Sequence, residues 1–314
     1  MQLQGALMMK QQEIRSNLLL LITAAIWGFA FVAQRVGSRY VGSFTFNGIR
    51  FALGALSLIP LLIFSLKQNP EPLNDPTKQK RSSVTLAGII AGSVLFAGAS
   101  LQQIGLVHTS AGKAAFITGL YIVLVPILGV FLKQRTHLSV WLGVVLATSG
   151  LYFLSVTENF TINVSDLLEL LGAFFWATHI LVIDYYTKRV HPLKLCIVQF
   201  STCSFLSMAA AFAFEKTTIT GLEQAVIPIL YGGICSVGIA YTLQVFGQKH
   251  AKPSHAAIIM SMESVFASLG GLLILHENLG IRGYLGCLLM LFGMLIAQLP
   301  NVLTKHADTG ISTT

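Results

Sequence analysis

Charge is what this chain of 314 residues has least of. Asp, Glu, Lys and Arg together make up 10% of it, against about 25% in a typical soluble protein. Hydrophobic residues reach 54% and the mean hydropathy is +0.74, so there are too few charges to coat a soluble domain of this length. The cysteines number four, Cys196, Cys203, Cys235 and Cys287. None shows CxxC spacing and all fall in apolar segments, which reads as free thiols and against disulfides or a metal site. The phosphate-binding pattern GxxxxGK[ST] is missing, and no loop is long enough to house a soluble ATPase, so any work must be driven by a gradient or by downhill flow. HExxH is missing too. The nearest serine motif, Ala147-Thr148-Ser149-Gly150, lacks the leading glycine of an intramembrane serine protease. These absences argue against an enzyme, and no motif calls for a cofactor.

What is present is long apolar sequence. Seven stretches of at least 18 residues carry no charge: 16–34, 82–112, 114–132, 136–157, 195–214, 224–248 and 283–304. Each can cross ~30 Å of hydrocarbon as a helix. Three more, near 44–66, 166–187 and 254–275, have the length but are interrupted by charge, and those interruptions are where function is sought. The expectation is an all-α integral membrane protein with ten transmembrane helices. The first span has no small-residue cleavage site after it and reads as a retained helix.

Segments six to ten repeat one to five. At an offset of 142, Leu101, Gln102, Gly105, His108, Ala114, Ala115 and Gly129 recur as Leu243, Gln244, Gly247, His250, Ala256, Ala257 and Gly271. At 143, Leu142, Gly143, Leu146 and Gly150 recur as Leu285, Gly286, Leu289 and Gly293, and at 149 Ala24 and Trp27 recur as Ala173 and Trp176. Matches of Gln, His and Trp in register are harder to reach by chance than matches among apolar residues. Five spans per repeat, an odd number, turn one half upside down relative to the other, and a site between inverted halves can open alternately to either side. The expected organisation is therefore a cytoplasmic N-terminus over 1–16, one five-helix repeat over 17–156, an extracytoplasmic linker over 157–165, a second repeat over 166–300 and a cytoplasmic tail over 301–314. Glycines inside the spans, among them Gly129, Gly143, Gly150, Gly271, Gly286 and Gly293, are expected to carry helix packing, because lipid supplies no hydrophobic drive between helices.

The net charge of +8 lies in the short loops, which points to a membrane surface and not to nucleic acid. With the N-terminus inside, fourteen Lys and Arg residues fall on the inner side and five outside, the bias expected of two cytoplasmic termini. The loop 158–166 carries acids and no Lys or Arg. Its two sequons, at Asn159 and Asn163, read as chance matches so close to the bilayer. The longest loop, 67–83, contains Pro70, Pro72 and Pro76 and reads as a flexible connector.

An ordered set of residues then resembles a known family. Ala25-Ile26-Trp27-Gly28 in the first span, Arg50-Phe51 in the second, Pro126 in the fourth, Gly143 and Gly150 in the fifth, and Glu263, Glu277, Gly286 and Gly293 in the last two are similar to the ten-helix EamA-type carriers of the drug/metabolite transporter superfamily. The likeness runs from about Asn17 to Pro300. It implies export or exchange of small metabolites, amino acids or drugs through a central cavity, in a bacterial inner membrane. Two departures stand out. Glu263-Ser264 replaces the frequent Glu-Pro of span nine, putting the kink of that span in question, and Gln134 replaces an acid near the end of span four. The glutamate that small multidrug carriers of this superfamily use in their first span is also missing.

Among candidate site residues Glu263 stands out. It falls near mid-bilayer, where an ionised carboxylate costs ~2.5 kcal/mol or more. It could bind a proton or a cationic group of the substrate, or it could only join neighbouring helices. Met260, Glu263, Ala267 and Gly271 are expected on one helical face. Arg50, seven residues into span two, is near enough to the outer surface to snorkel; it could hold a substrate carboxylate, anchor helices or pair with an acid. His179 could relay protons, line the cavity or simply pack. Trp27 and Trp176 could stack on a substrate from two sides or serve packing. Gln102, Gln244 and Tyr241 are candidates to hydrogen-bond in the cavity. Asp184 and Glu277 are expected at the membrane interfaces, as gates or as solvated ends. The expected partners are a small-molecule substrate, a coupling proton and the lipid bilayer, in a monomer or homodimer. The competing reading is a receptor or scaffold, which short loops disfavour.

Overall fold

The computed structural model describes residues 2–68, 83–109, 111–134, 136–155, 164–274 and 280–307. The loop holding Pro70, Pro72 and Pro76, both sequons and Glu277 lie outside them. Among the described residues every regular element is a helix. Spans one to three are the single helices α1 (Gln2–Gly37), α2 (Ser43–Gln68) and α3 (Val84–Gly105). Span four is two half-helices, α4 (Ala111–Gly119) and α5 (Tyr121–Phe131), and α6 (Leu138–Ser155) is the fifth. The second half repeats this plan with α7 (Val164–Thr187) and α8 (Pro192–Phe214). After the short α9 (Ile219–Gln224), span eight is α10 (Val226–Leu230), a π-helical stretch Tyr231–Tyr241 and α11 (Thr242–Gln248). Span nine is again split, into α12 (Pro253–Met260) and α13 (Glu263–Ile274), and α14 (Gly280–Ala307) is the tenth. Among the described residues nine of these spans are long and apolar enough to cross a membrane, and the remaining one, span five, is a shorter apolar helix over Leu138–Phe153.

The helix ends follow local chemistry. Ser83 caps α3 by accepting from Leu86 N, Thr218 caps α9 from Gly221 N, and Pro192 and Pro253 open α8 and α12, where a missing N–H costs nothing. The start of α2 is capped from afar. Glu215, just past the end of α8, accepts from Phe44 N, Thr45 N and Thr45 Oγ1 at 2.8, 2.8 and 2.7 Å.

Burial is inverted relative to a soluble protein. Leu61, Phe64, Leu142, Phe205, Phe212 and Leu285 are exposed, whereas Asn47, Gln103, Glu169, His179, Gln199 and Gln248 are fully buried. Acyl chains can cover the first set. The second must find partners inside the bundle.

The packing has the symmetry of the repeat. Span one lies against spans eight and nine as span six lies against three and four, span two lies against eight as seven lies against three, and spans two and seven, four and nine, and five and ten pair with each other. The last pair fixes the relative direction. A Cβ on Gly143 would meet Gly293 O at 2.6 Å and one on Gly150 would meet Gly286 O at 2.6 Å, so α6 and α14 run antiparallel with their backbones in contact. Spans two and seven are antiparallel as well: Thr45 meets Glu215 at one end and Gly48 O accepts from Ser204 Oγ nearer the middle. Equivalent helices that face each other in opposite directions make the two halves inverted copies.

Not every expected packing glycine has that role. Gly271 is buried in α13, but a Cβ on Gly129 would meet only Gln134. Gly129 O accepts from Gln134 N, closing α5 at Lys133, whose φ is 59°. Of the four thiols, all free, Cys196 and Cys203 are buried and Cys235 and Cys287 are half-buried.

Gly150→Leu should therefore force α6 away from α14 and destabilise the fold by about 1–3 kcal/mol or more, read as a lower unfolding midpoint and more aggregate in detergent. Gly129→Ala, which meets only the movable end of Gln134, should leave the midpoint within about 1 kcal/mol of wild type.

Candidate functional site

Three local irregularities meet at the centre of the bundle. Span four breaks at Leu120, where the Leu120 N–H turns to Ile117 O. Span nine breaks at Ser261 and Met262, so the missing proline does not leave it straight. Met262 N and Ser264 N donate to Ile259 O and Ser261 O in tighter i→i−3 turns, and the Ser261 and Ser264 hydroxyls donate to Ile258 O and Ala115 O. Serine side chains thus do the satisfying that a break inside hydrocarbon demands. The break also separates Met260 from Glu263, Ala267 and Gly271, which share a face of α13 without it. Span eight is widened by its π-helical stretch, whose carbonyls at Ser236 and Ala240 accept from Trp27 Nε1 and Thr23 Oγ1 of α1. π-Helical turns of this kind are frequent at functional sites.

These irregularities surround a cavity with a free volume of about 30 Å³, room for about two waters. Seven of the eight sequence-picked residues line it: Glu263, Trp27, Trp176, Arg50, Gln102, Gln244 and Tyr241. The eighth, His179, is fully buried behind them. It stands edge-on to Trp176 and Tyr241 at 6.2 Å from each and hydrogen-bonds Gln199 Oε1 through Nε2 at 3.0 Å.

Tyr241, the last π-helical residue, is the hub of the apolar wall. Trp27 lies 4.6 Å from it edge-on, Trp176 stacks at 6.1 Å, and Phe51 and Phe200 each lie 5.9 Å away. The two repeat-related indoles sit in equivalent roles, Trp27 donating to span eight at Ser236 O and Trp176 donating to span three at Gln102 Oε1, 2.8 Å away.

Two ionisable groups face this aromatic wall. Arg50 is only 2% exposed, so it does not snorkel. Its Nε donates to Asn47 Oδ1 at 2.9 Å, Asn47 is held in turn by Ala99 O, and the guanidinium lies 4.9 Å over the Phe51 ring. Among the described residues Arg50 forms no ion pair. Glu263 is 4% exposed and begins α13, where the positive end of the helix dipole favours negative charge. Its Oε1 meets no hydrogen-bond geometry with a described residue, though carboxylate and Tyr121 phenol lie close enough to interact electrostatically.

Several contributors were not picked from sequence. Tyr121, Thr118, Gln34 and Ser236 complete the lining. Tyr121 could have been found, because it precedes Glu263 by 142 positions, the same offset that links Gln102 to Gln244. Glu169, fully buried on α7, accepts from Thr118 Oγ1 at 3.1 Å; an acid inside an apolar span was its signal. Two sets of hydrogen bonds join helices on either side of the cavity. Gln248 Nε2 donates to Ile180 O at 3.0 Å, tying α11 to α7 on one side. Gln102 and Gln103 donate to Gln34 Oε1 and Gln34 O at 3.3 and 3.2 Å, tying α3 to α1 on the other. Asp184 lies beyond Ile180, paired with Lys188 at 2.6 Å.

The pattern of the EamA-like transporter family matches the chain twice, over residues 14–156 and 163–298. The chain belongs to the EamA-like transporter family. Among EamA relatives, an uncharacterized transporter of Archaeoglobus fulgidus is 31% identical over 92% of this chain and 87% of its own. The uncharacterized transporter YoaV of Bacillus subtilis is 22% identical over 86% and 91%. The aromatic amino acid exporter YddG of Salmonella typhimurium is 24% identical over 68% of this chain and 77% of its own. A solved crystal structure superposes with a TM-score of 0.73 at 17% identity, covering 90% of this chain and 96% of that one, which shows the fold. This EamA chain is thus a membrane transporter, with its repeat-related residues gathered around one cavity.

Asn47→Leu should leave the buried Arg50 Nε unpaired. The expected cost is about 1–3 kcal/mol of stability, measured as a lower unfolding midpoint in detergent.

Proposed function

We propose that the protein is a secondary-active carrier of small zwitterionic metabolites, amino acids with bulky apolar or aromatic side chains foremost, which it exports or exchanges by alternating access. The observation that carries this reading is the pairing in one cavity of a buried guanidinium, Arg50, and a buried carboxylate, Glu263, neither in an ion pair among the described residues, with Trp27, Trp176 and Tyr241 between. A charge near mid-membrane costs ~2.5–3.5 kcal/mol on insertion scales. A ligand that brings its own carboxylate to Arg50 and its own ammonium to Glu263 repays both costs at once, and the aromatic wall takes its side chain. The name of the YddG relative is in keeping with such a substrate.

The two halves are then the moving parts. A cavity of this size admits a metabolite only when helices part, and the hydrogen bonds of Gln248 to Ile180 and of Gln102 and Gln103 to Gln34 are the contacts to be broken, one set for each side. Each set is weak enough, about 0.5–1.5 kcal/mol per bond, to be exchanged against substrate contacts. Glu263 is the coupling residue. When the ammonium leaves, a proton replaces it, so the emptied carrier returns without an unpaired buried anion. The charge bias of the loops supports a cytoplasmic position for both termini, which puts the Gln248 contact on the inner side.

The test is substrate counterflow in proteoliposomes. Phenylalanine should exchange saturably with wild-type protein. Glu263→Gln should remain folded, lose its dependence on a proton gradient and slow exchange about 10–100-fold, the loss expected for one charge-assisted contact. Arg50→Gln should erase the preference for phenylalanine over phenethylamine, which lacks the carboxylate. Wild-type protein that moves no amino acid would overturn the substrate class.

A further inference from the structure

Beyond the central cavity, along the same helices, lies a second and larger recess. Its free volume is about 410 Å³, and it shares no lining residue with the cavity. Gln248, bonded to Ile180 O, lies in sequence between cavity residue Gln244 and recess residue Lys249. Asp184 follows cavity residue Ile180 by one turn of α7, and Lys249 follows Gln244 by five residues. Three ends meet here: the exit of span four at Gln134, the exit of span six at Asp184 and Lys188, and the link from span eight to span nine, 249–255.

The chemistry of the recess is lopsided. Lysines 188, 249 and 252 and histidines 137, 250 and 255 face it, against Asp184 as its sole acid among the described lining residues. Asp184 already holds Lys188 at 2.6 Å, and Lys249 and Lys252, both exposed, form no ion pair among the described residues. The recess floor is the start of α12. The helix begins with Pro253 and its cap, Lys252, contributes no side-chain bond, so the N–H groups of Ser254 and His255 fall in the first turn, where no helical carbonyl can reach them. His255 itself is only 6% exposed, lines the recess, and its Nε2 has no hydrogen-bond partner among the described residues. A buried ring nitrogen left unpaired costs about 1–3 kcal/mol, a cost a ligand oxygen would remove.

We propose that this recess is an oxyanion site, taking a carboxylate or phosphate group between Lys249, Lys252, His255 and the start of α12. The bound group accepts from His255 Nε2 and from the N–H groups of the first turn, with the two lysines as flanking charges. His250 adds polarity and little charge near neutral pH: partial burial, then the positive charges of Lys249, Arg15 and Lys188, lower its pKa. On the carrier reading, on which this assignment rests, the site lies on the cytoplasmic side of the Gln248 contact. There it would gather the carboxylate end of a substrate before the cavity opens, or hold an anionic lipid headgroup against the moving helices.

Equilibrium binding of radiolabelled inorganic phosphate and of benzoate to the full chain in nanodiscs tests the site without requiring transport. In neutral phosphatidylcholine discs, wild type should bind both anions saturably and stoichiometrically. Lys249→Gln, an exposed change that leaves the fold alone, and His255→Ala should each weaken binding about tenfold, while His255→Asn, which keeps an N–H donor, should recover part of it. Phosphatidylglycerol discs separate the two sources. Binding of the soluble anions that persists there assigns the site to free metabolites; competition by the lipid, together with phosphatidylglycerol retained by purified wild type and lost from Lys249→Gln, assigns it to a headgroup. No binding in neutral discs and no retained lipid, or binding equal in all variants, overturns the proposal. Glu263→Gln should bind the anions as wild type does, so a protein that binds them but exchanges no amino acid refutes the carrier reading alone.

Discussion

Hydrocarbon offers no water to an unpaired amide or carbonyl, so every interruption of a helix in this protein has to be enclosed by other helices. The breaks at Leu120 and at Ser261 and Met262, and the widened turns of Tyr231–Tyr241, all obey that constraint. Each is walled in, and each has its loosened carbonyls met by side chains: Ser264 to Ala115, Ser261 to Ile258, Trp27 to Ser236, Thr23 to Ala240. Enclosure concentrates the irregular backbone in the middle of the bundle. That region is therefore also where Arg50, Glu263 and the glutamines can be kept, because enclosed side chains and backbone supply partners for polar atoms there.

Inversion of the repeat follows from a second constraint of the same kind. With no hydrophobic drive between helices in lipid, close backbone approach has to hold the halves together, and Gly143 against Gly293 with Gly150 against Gly286 does so between α6 and α14. Because these four glycines are two pairs of repeat equivalents meeting antiparallel, one duplicated sequence supplies both sides of its own interface. The same symmetry brings Trp27 to Trp176, Gln102 to Gln244 and Tyr121 to Glu263 around one cavity. In the last pair the symmetry is broken, phenol on one side and carboxylate on the other, and that asymmetry gives the cavity a place for charge.

The polar contacts that flank the cavity are few. Gln248 to Ile180 and Gln34 to Gln102 and Gln103 are individually modest bonds, and the cavity between them holds about 30 Å³. A static bundle would gain by filling such a space with Leu or Phe. Leaving it polar and flanked by exchangeable bonds is in keeping with the proposed alternating access.

Span number, the repeat and most of the lining were legible in the chain because each has a one-dimensional signature: an apolar run of bilayer length, a fixed offset, or an expensive residue in a cheap context. Glu263, Trp27, Trp176 and Gln102 were found that way. What was not legible depended on neighbours far along the chain. Arg50 sits at a depth compatible with snorkelling, and only the packing of Asn47, Phe46 and Phe51 around it keeps it inside. Gly129 reads like a packing glycine, yet the atoms nearest a Cβ there belong to Gln134 at the end of its own helix. The break of span nine needs no proline because Ala115, some 149 residues away, accepts from Ser264. Sequence by itself determined that the protein spans a membrane as a duplicated helical bundle, since hydropathy and register are properties of the string. Tertiary structure alone decided which polar residues share a cavity and which recess beyond it collects positive charge, since both depend on helices that meet only after the chain has folded.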